Sequence, residues 1–139
     1  MSTRIRPEIS KNNRYWINKH RHYELKHFCL QYPLWKSTLF NIQNSNRSAS
    51  IVLKNSSGNL PGDPTGELAT SIVYYSERIK MVEKIANKTD KYLSQYILKA
   101  VTEGLSYSQL KSKLEIPCGR DMYYDRYRRF FWLLSQERN

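Results

Sequence analysis

The fold of this chain is decided by residues 104–134, which read GLSYSQLKSKLEIPCGRDMYYDRYRRFFWLL. Ser106 is a favourable N-cap for a short helix whose leucines would share one inner face. Ile116 and Pro117 interrupt that helix, and a second, longer helix is predicted to begin at about Gly119. The stretch therefore predicts two helices joined by a tight turn that holds one buried aliphatic residue.

The second helix has an apolar face and a polar face. Its large apolar side chains recur at helical spacing and are predicted to be buried: Tyr123, Tyr127, Phe130 and Leu134. A short bracing helix, a tight turn and a longer basic helix are the parts of a helix-turn-helix, whose second helix enters the major groove of DNA. We therefore expect DNA contacts from Ser106, Tyr107, Cys118, Arg120, Asp121, Tyr124 and Arg128.

These residues suit different contacts. An arginine such as Arg120 pairs with guanine, whereas Tyr124 and Arg128 suit phosphates or bases. Asp121 accepts a hydrogen bond from cytosine or orients a neighbouring arginine. The alternative is an ordinary helical hairpin with a solvated charged face, on which Asp121 and Asp125 pair with Arg128 and Arg129.

The residues of this stretch resemble a known module. The run Gly104-Leu105-Ser106-Tyr107, followed by Leu110, Leu114, Ile116 and Gly119, resembles the helix-turn-helix of the fourth region of bacterial sigma factors. The order of segments, with an aromatic N-terminal part containing Tyr32-Pro33-Leu34-Trp35, is similar to phage late-transcription regulators of the ArpU and RinA kind. The resemblance implies a phage or prophage regulator that binds double-stranded DNA and contacts RNA polymerase.

The charge of the chain points to a polyanionic partner. The 139 residues contain 23 Lys and Arg against 12 Asp and Glu, a formal charge of +11. Residues 1–54 hold ten basic and two acidic side chains, residues 55–89 hold four of each, and residues 90–139 hold nine and six. We therefore expect the C-terminal module to select the DNA sequence and the N-terminal half to supply much of the nonspecific affinity for phosphates.

The N-terminal half is predicted to be helical up to a polar connector. One helix is predicted over residues 14–31 and a short helix over residues 34–42. The apolar face of the first is formed by Trp16, His20, Tyr23, His27 and Leu30, and it is widened by Ile17, Leu25 and Phe28. Residues 43–66 are rich in Asn, Ser, Gly and Pro and predict a flexible connector. The expected fold is mainly α, with a helical segment at 1–42, the connector at 43–66 and a helical domain at 67–139.

Two further helices are predicted before the helix-turn-helix. Asp63 and Pro64 favour the start of a long helix, whose apolar seam comprises Leu68, Ile72, Tyr75, Ile79, Val82 and Ala86. This seam either packs within the chain or pairs two chains in a homo-oligomer. The next helix is predicted over residues 90–103, with Tyr92, Leu93, Tyr96, Ile97 and Ala100 on one face, and Gly104 ends it.

Several classes of protein are excluded by the sequence. No apolar run is long enough for a membrane span, and the N-terminus lacks the apolar region of a signal peptide, so we expect a cytoplasmic protein. No phosphate-binding loop or nucleophile motif is present, so neither an enzyme nor a cofactor is expected.

Histidine and cysteine spacing does not favour a metal site. His20 and His27 would share a helical face, His22 would point elsewhere to the surface, and Cys29 would be a buried small side chain. Cys118, at the start of a helix, has the alternative interpretation of a redox sensor with a lowered thiol pKa.

The leading hypothesis is a phage or prophage transcription regulator that reads the major groove with the helix after Pro117. The alternative is the small subunit of a phage terminase, which joins a helix-turn-helix to an oligomerising helical region. A third hypothesis is a protein-interaction module whose aromatic N-terminal half docks on polymerase or a capsid protein.

Overall fold

The computed structural model describes residues 12–55 and 64–138, with side chains over 12–45 and 66–138. Within these ranges every regular element is an α-helix: α1 (Lys19–Leu30), α2 (Tyr32–Asn55), α3 (Pro64–Thr89), α4 (Ser94–Glu103), α5 (Tyr107–Leu114) and α6 (Arg120–Glu137). The predicted mainly α fold is thus confirmed. No helix of the described ranges is both long and apolar enough to cross a membrane.

The chain divides into two compact units. The first consists of residues 1–31 together with 81–139, and the second of residues 32–80. In the first unit α1 packs against α4 and α6, and α4 also contacts α5. Its fully buried side chains come from all of these helices and from the end of α3: Leu25, Cys29, Val82, Ile85, Ile97, Leu110, Ile116, Tyr123, Phe130, Phe131 and Leu134.

The prediction of a separate segment at 1–42 is wrong, because α1 belongs to the same unit as α6 and α2 does not. The apolar side of α1 carries Leu25, Phe28 and Cys29, and its partners lie more than 60 residues later in the chain. Periodicity within a segment does not reveal a partner at that separation. One helix of the N-terminal part is therefore core to the domain that contains residues 104–134.

The predicted apolar face of α1 is only partly correct, because Leu25 and Phe28 are buried as predicted and the other predicted members within the helix are exposed. The helix begins at Lys19, where Asn18 Oδ1 accepts a hydrogen bond from the His20 N–H at 2.9 Å, so Trp16 lies outside it. His20, Tyr23, His27 and Leu30 are exposed, whereas His22, predicted on the surface, is buried. His and Tyr side chains combine an apolar body with a polar tip, so a helical spacing of these residues is compatible with a buried or an exposed side of the helix. The side that faces the core carries Leu25, Phe28 and Cys29 together with His22.

The helix predicted over residues 34–42 is longer in the structure, because α2 continues to Asn55 and so includes the first half of the residues assigned to the connector. Asn and Ser lower helix propensity by less than about 1 kcal/mol per residue, and the first glycine after residue 42 is Gly58. Without Gly or Pro the helix is not interrupted there. Residues 56–63, including the predicted N-cap Asp63, lie outside the described residues, and α3 begins at Pro64 as predicted.

The seam of α3 is unevenly buried. In the C-terminal part Ile79, Val82 and Ala86 are buried, whereas the earlier members Leu68 and Ile72 are only half-buried. Other apolar side chains of residues 32–80 are more exposed still, namely Leu34, Phe40, Val73 and Tyr74. The seam therefore contributes to a core only over its second half.

The predicted helix at 90–103 is shorter in the structure. Asp90 Oδ1 accepts hydrogen bonds from the N–H groups of Tyr92 (2.9 Å) and Leu93 (3.1 Å), which forms a turn before α4 starts at Ser94. Tyr92, predicted on the apolar face, is 91% exposed because it lies in this turn, while Leu93, Ile97 and Ala100 are buried as predicted. Gly104, at φ +70°, ends the helix as predicted.

Candidate nucleic-acid interface

The start of α5 is fixed by the capping box that the sequence favours. Ser106 Oγ accepts a hydrogen bond from the Gln109 N–H at 3.2 Å, and Gln109 Oε1 accepts one from the Ser106 N–H at 2.9 Å. The two interactions satisfy helix-end groups that would otherwise need water. The cap role of Ser106 is confirmed, and its hydroxyl is occupied by it.

The turn between α5 and α6 holds one buried aliphatic residue, as predicted. Ile116 is fully buried, and its N–H donates to the Leu110 carbonyl at 3.3 Å. Lys111 Nζ donates to the Ile116 carbonyl at 3.4 Å. Glu115 closes α5 in the left-handed region at φ 53°. These contacts hold the backbone of the turn and thereby determine the position at which α6 begins.

Tyr107 and Cys118 connect the beginnings of α5 and α6. The Tyr107 hydroxyl donates to the Cys118 carbonyl at 2.7 Å, and its ring centroid lies 5.8 Å from that of Tyr123. These two candidate residues are thus engaged with each other through the hydroxyl and the carbonyl. Burial raises the pKa of the Cys118 thiol, and the Asp90 carboxylate adds to this rise. The interpretation of Cys118 as a sensor with a lowered pKa is therefore wrong.

The first turn of α6 is the exposed tip of the module. Gly119 is the N-cap and makes no side-chain capping bond, so Arg120 and Asp121 follow a bare helix start. Both side chains are exposed, and Met122 beside them is 45% exposed. The Arg120 guanidinium carbon lies 5.4 Å from the Tyr107 ring centroid, and its Nη2 is 3.4 Å from Ser108 Oγ. Arg120 is thus positioned by contacts with Tyr107 and Ser108, while its side chain remains exposed to solvent.

The second turn of α6 contains Tyr124 and the acid Asp125. The Tyr124 ring is half-buried and meets the Tyr123 ring edge-to-face at 5.0 Å between centroids. Asp125 pairs with Arg126, and not with the arginines at 128 and 129 that the hairpin alternative considered. The structure therefore leaves Tyr124 beside Arg120 and Asp121 on the outer side.

Arg126 is used inside the protein. Its Nε donates to Asp90 Oδ2 at 2.8 Å, which ties α6 to the turn before α4. Burial raises the pKa of Asp90, but hydrogen bonds from Arg126, Leu93 and Tyr92 outweigh it and hold the pKa below its ordinary value. The hydrogen bonds from Arg126 to Asp90 and to Asp125 raise the pKa of Arg126. Of the three arginines close together in α6, this one is structural.

Arg128 and Arg129 lie farther along the same helix. Both are half-buried, and the Nε atom of each is buried without a hydrogen-bond partner in the described part of the chain. Arg129 Nη1 donates to the Tyr15 hydroxyl at 3.3 Å, and the Tyr15 ring packs against Trp132 at 5.6 Å between centroids. Residues 13–17, which we call the N-terminal segment, thus cover part of the C-terminal half of α6.

This covering segment was missed by sequence reasoning. Asn13 orders it, since its Oδ1 accepts from the Tyr15 N–H at 2.9 Å and its carbonyl accepts from the Trp16 N–H at 3.0 Å. Tyr15 and Ile17 are buried. The sequence instead predicted residues 14–17 as the first turn of the helix over 14–31, whereas α1 begins at Lys19.

The C-terminus of α6 is held by Arg21 of α1. Arg21 donates to Ser135 Oγ (3.1 Å), the Ser135 carbonyl (3.0 Å) and the Arg138 carbonyl (2.9 Å). A cation at this position satisfies open carbonyls and interacts favourably with the helix dipole. Lys84 Nζ also pairs with Glu137 at 2.9 Å. The C-terminal end of α6 is therefore anchored by these contacts, whereas the polar side chains of its first turn are exposed to solvent.

Metal ligands are not assembled in the described residues, where no cluster of three His, Cys, Asp or Glu side chains occurs. His20 and His27 are exposed, and His22 is buried with its ring centroid 4.8 Å from that of Phe131. Cys29 is fully buried as predicted, and burial raises its thiol pKa.

Comparison with known proteins yields no relative: no protein-family model, curated protein or solved structure matches the chain.

Proposed function

We propose that this chain is a sequence-specific DNA-binding transcription regulator of a phage or prophage, which reads the major groove with the first two turns of α6. One observation carries the proposal. Arg120, Asp121 and Tyr124 project from the start of a helix whose other side is buried and whose far end is anchored. A rigid helix that presents polar tips at its N-terminal end is what major-groove reading requires.

The side chains at this tip match the chemistry of base edges. Arg120 donates two parallel hydrogen bonds to guanine O6 and N7, a pairing that contributes about 1–3 kcal/mol of discrimination. Asp121 accepts from cytosine N4, and Tyr124 reaches a phosphate or a base. The open N–H groups after Gly119 and the positive end of the α6 dipole favour a nearby phosphate.

Partners and location follow from the same proposal. Double-stranded DNA is the primary partner, and the resemblance of residues 104–119 to the fourth sigma region supports RNA polymerase as a second one. Such a regulator acts in the bacterial cytoplasm and needs neither cofactor nor catalytic group. The order of the capping box, buried Ile116 and basic α6 supports this assignment.

A binding experiment tests the proposal directly. A duplex pool selected with the full chain should converge on a sequence, and affinity for it should fall steeply as salt is raised. Arg120→Ala should weaken binding to the selected duplex by about 1–3 kcal/mol and relax preference at one position. Lys99→Ala, which removes an exposed α4 charge that pairs with Glu103, is the matched control. No enrichment, or a flat salt dependence, would overturn the proposal.

The small terminase subunit is the second candidate, and the incompletely buried first half of the α3 seam favours it, together with the exposed apolar side chains beside that half. Val73 and Tyr74 are exposed and Leu68 and Ile72 half-buried, a set that pairing with other copies would cover. Mass measurement in solution separates the candidates, because a ring of about eight or more chains is expected for the terminase and a monomer or dimer for the regulator.

A further inference from the structure

A second basic surface lies beside the proposed reading tip and is shared by α6 and the N-terminal segment. It consists of Arg14, Tyr15, Arg128 and Arg129, which we call the arginine–tyrosine cluster. The Arg14 guanidinium carbon lies 4.6 Å from the Tyr15 ring centroid, and Arg129 Nη1 lies 3.3 Å from the hydroxyl of the same ring. One buried tyrosine thus holds two guanidinium groups near each other.

The arginines of the cluster have no acidic partner among the described residues. Among the ion pairs of residues 12–45 and 66–138, acidic partners are found for Arg21, Lys84, Lys99 and Arg126, and for none of the three cluster arginines. Asp125, the acid nearest in sequence to Arg128 and Arg129, is paired with Arg126. Positive charges held close together without a carboxylate repel one another and raise the free energy of the folded protein. A bound anion would lower it again.

The tyrosine also limits how the cluster moves. Tyr15 is buried between Arg129 and Trp132, and Asn13 fixes the backbone on its N-terminal side. Arg14 is exposed, so its guanidinium rests on a fixed ring while its N–H donors face solvent. An arginine held in this way loses less entropy on binding a phosphate than a freely moving one.

The position along α6 fits a DNA backbone. At 1.5 Å per residue, Arg128 and Arg129 lie about 12–14 Å along the helix axis from Arg120. The major groove is about 12 Å wide and 8.5 Å deep, so a helix that inserts its first turn brings residues two to three turns later to the phosphate rim. An acidic protein surface would satisfy the charge equally well, but it would not require this offset from a base-reading tip.

We propose that the arginine–tyrosine cluster binds the phosphodiester backbone at the groove rim and sets the depth and register of α6. This inference rests on the proposed function and extends it to a contact made jointly by the N-terminal segment. Contacts to phosphate position a protein without reading sequence, so the cluster should add affinity to every duplex alike.

The test compares glutamine variants of the full chain by fluorescence anisotropy over a range of NaCl concentrations, with the selected duplex and a scrambled one. Arg14→Gln should weaken binding to both duplexes about threefold to tenfold and reduce the salt slope by about 0.9. Arg129→Gln should do the same. Tyr15→Phe, which keeps both charges, should retain the wild-type slope.

Arg78→Gln is the matched control, since Arg78 also stacks on a tyrosine, with its guanidinium carbon 3.4 Å from the Tyr74 ring centroid. Equal affinities and slopes for Arg14→Gln, Arg129→Gln and Arg78→Gln would overturn this inference while leaving the base-reading role of Arg120 intact. Absence of binding by the wild-type chain to any duplex would overturn the proposed function as well. Because Arg14 is exposed, its variant reports on binding even where Arg129→Gln alters folding.

Discussion

The two halves of α6 have the same helical geometry and opposite surroundings. In the first half Arg120, Asp121 and Met122 are exposed, and only Tyr123 is fully buried. In the second half Phe130, Phe131 and Leu134 are buried, and the N-terminal segment covers the outer side as well. Enclosure of the second half fixes the helix, and this leaves the first half free to present polar groups. Most of the buried side chains of α6 thus lie in its second half, and the exposed polar side chains at its start lie in its first turn.

The largest expected effect on stability comes from removing a buried ring from the second half of α6. Phe130→Ala should lower the free energy of unfolding by about 3–5 kcal/mol, because a fully buried ring leaves a cavity. Met122→Ala in the exposed half should change it by less than about 1 kcal/mol. Urea unfolding followed by circular dichroism measures both. Similar losses for the two variants would show that the halves do not differ in burial.

Removal of the anchor at the end of α6 should have an intermediate effect. Arg21→Met keeps an apolar stem but removes three hydrogen bonds to Ser135 and Arg138, and should cost about 1.5–3 kcal/mol. Glu24→Gln, which removes only the surface partner of Arg21, is the control and should cost less than about 1 kcal/mol. Protection of the last turn of α6 in amide hydrogen exchange should fall in Arg21→Met alone. Unchanged protection would contradict the anchor role.

Removing the contact between Asp90 and Arg126, in the middle of α6, should produce a smaller, pH-dependent effect on stability. The pKa of Asp90 in the folded chain lies below its unfolded value, so its stabilising contribution is complete above the unfolded pKa and is lost as pH falls through the folded one. Asp90→Asn should therefore be less stable than wild type at pH 7 by about 1–2 kcal/mol. The difference should shrink below about pH 4.

Thermal melts of both proteins between pH 7 and pH 3 measure this difference. Asp121→Asn is the matched control, because Asp121 is an exposed acid of α6, and the acidic partners of Arg126 among the described residues are Asp90 and Asp125. A pH-independent difference between wild type and Asp90→Asn would contradict the role assigned to the Asp90–Arg126 pair.

The enclosure of α6 also changes how the N-terminal charge is to be tested. The sequence led us to expect that the first 54 residues supply nonspecific affinity and act apart from the reading module. Because Leu25, Phe28 and Cys29 of α1 are part of the core shared with α6, deletion of residues 1–54 would unfold the module itself. Point variants such as Arg14→Gln separate charge from folding, whereas a truncation does not.

The sequence by itself determined the helices and boundaries around residues 104–134. The Ser106 cap, the left-handed Gly104, the buried Ile116 and the start of α6 were all predicted, because each depends on interactions within a few residues. The exposed tip at Arg120 and Asp121 followed from the same local pattern. Local hydrogen bonding and side-chain size are encoded at short range, so they can be read from a single segment.

Only the tertiary structure decided which face of α1 is buried, that Tyr107 binds the Cys118 carbonyl, and that Tyr15 joins Arg129. The contact between Tyr15 and Arg129 spans 114 positions, and α1 has polar and aromatic side chains on more than one side. Such choices depend on the shape of a surface supplied by distant residues, and a segment considered alone contains no information about that surface.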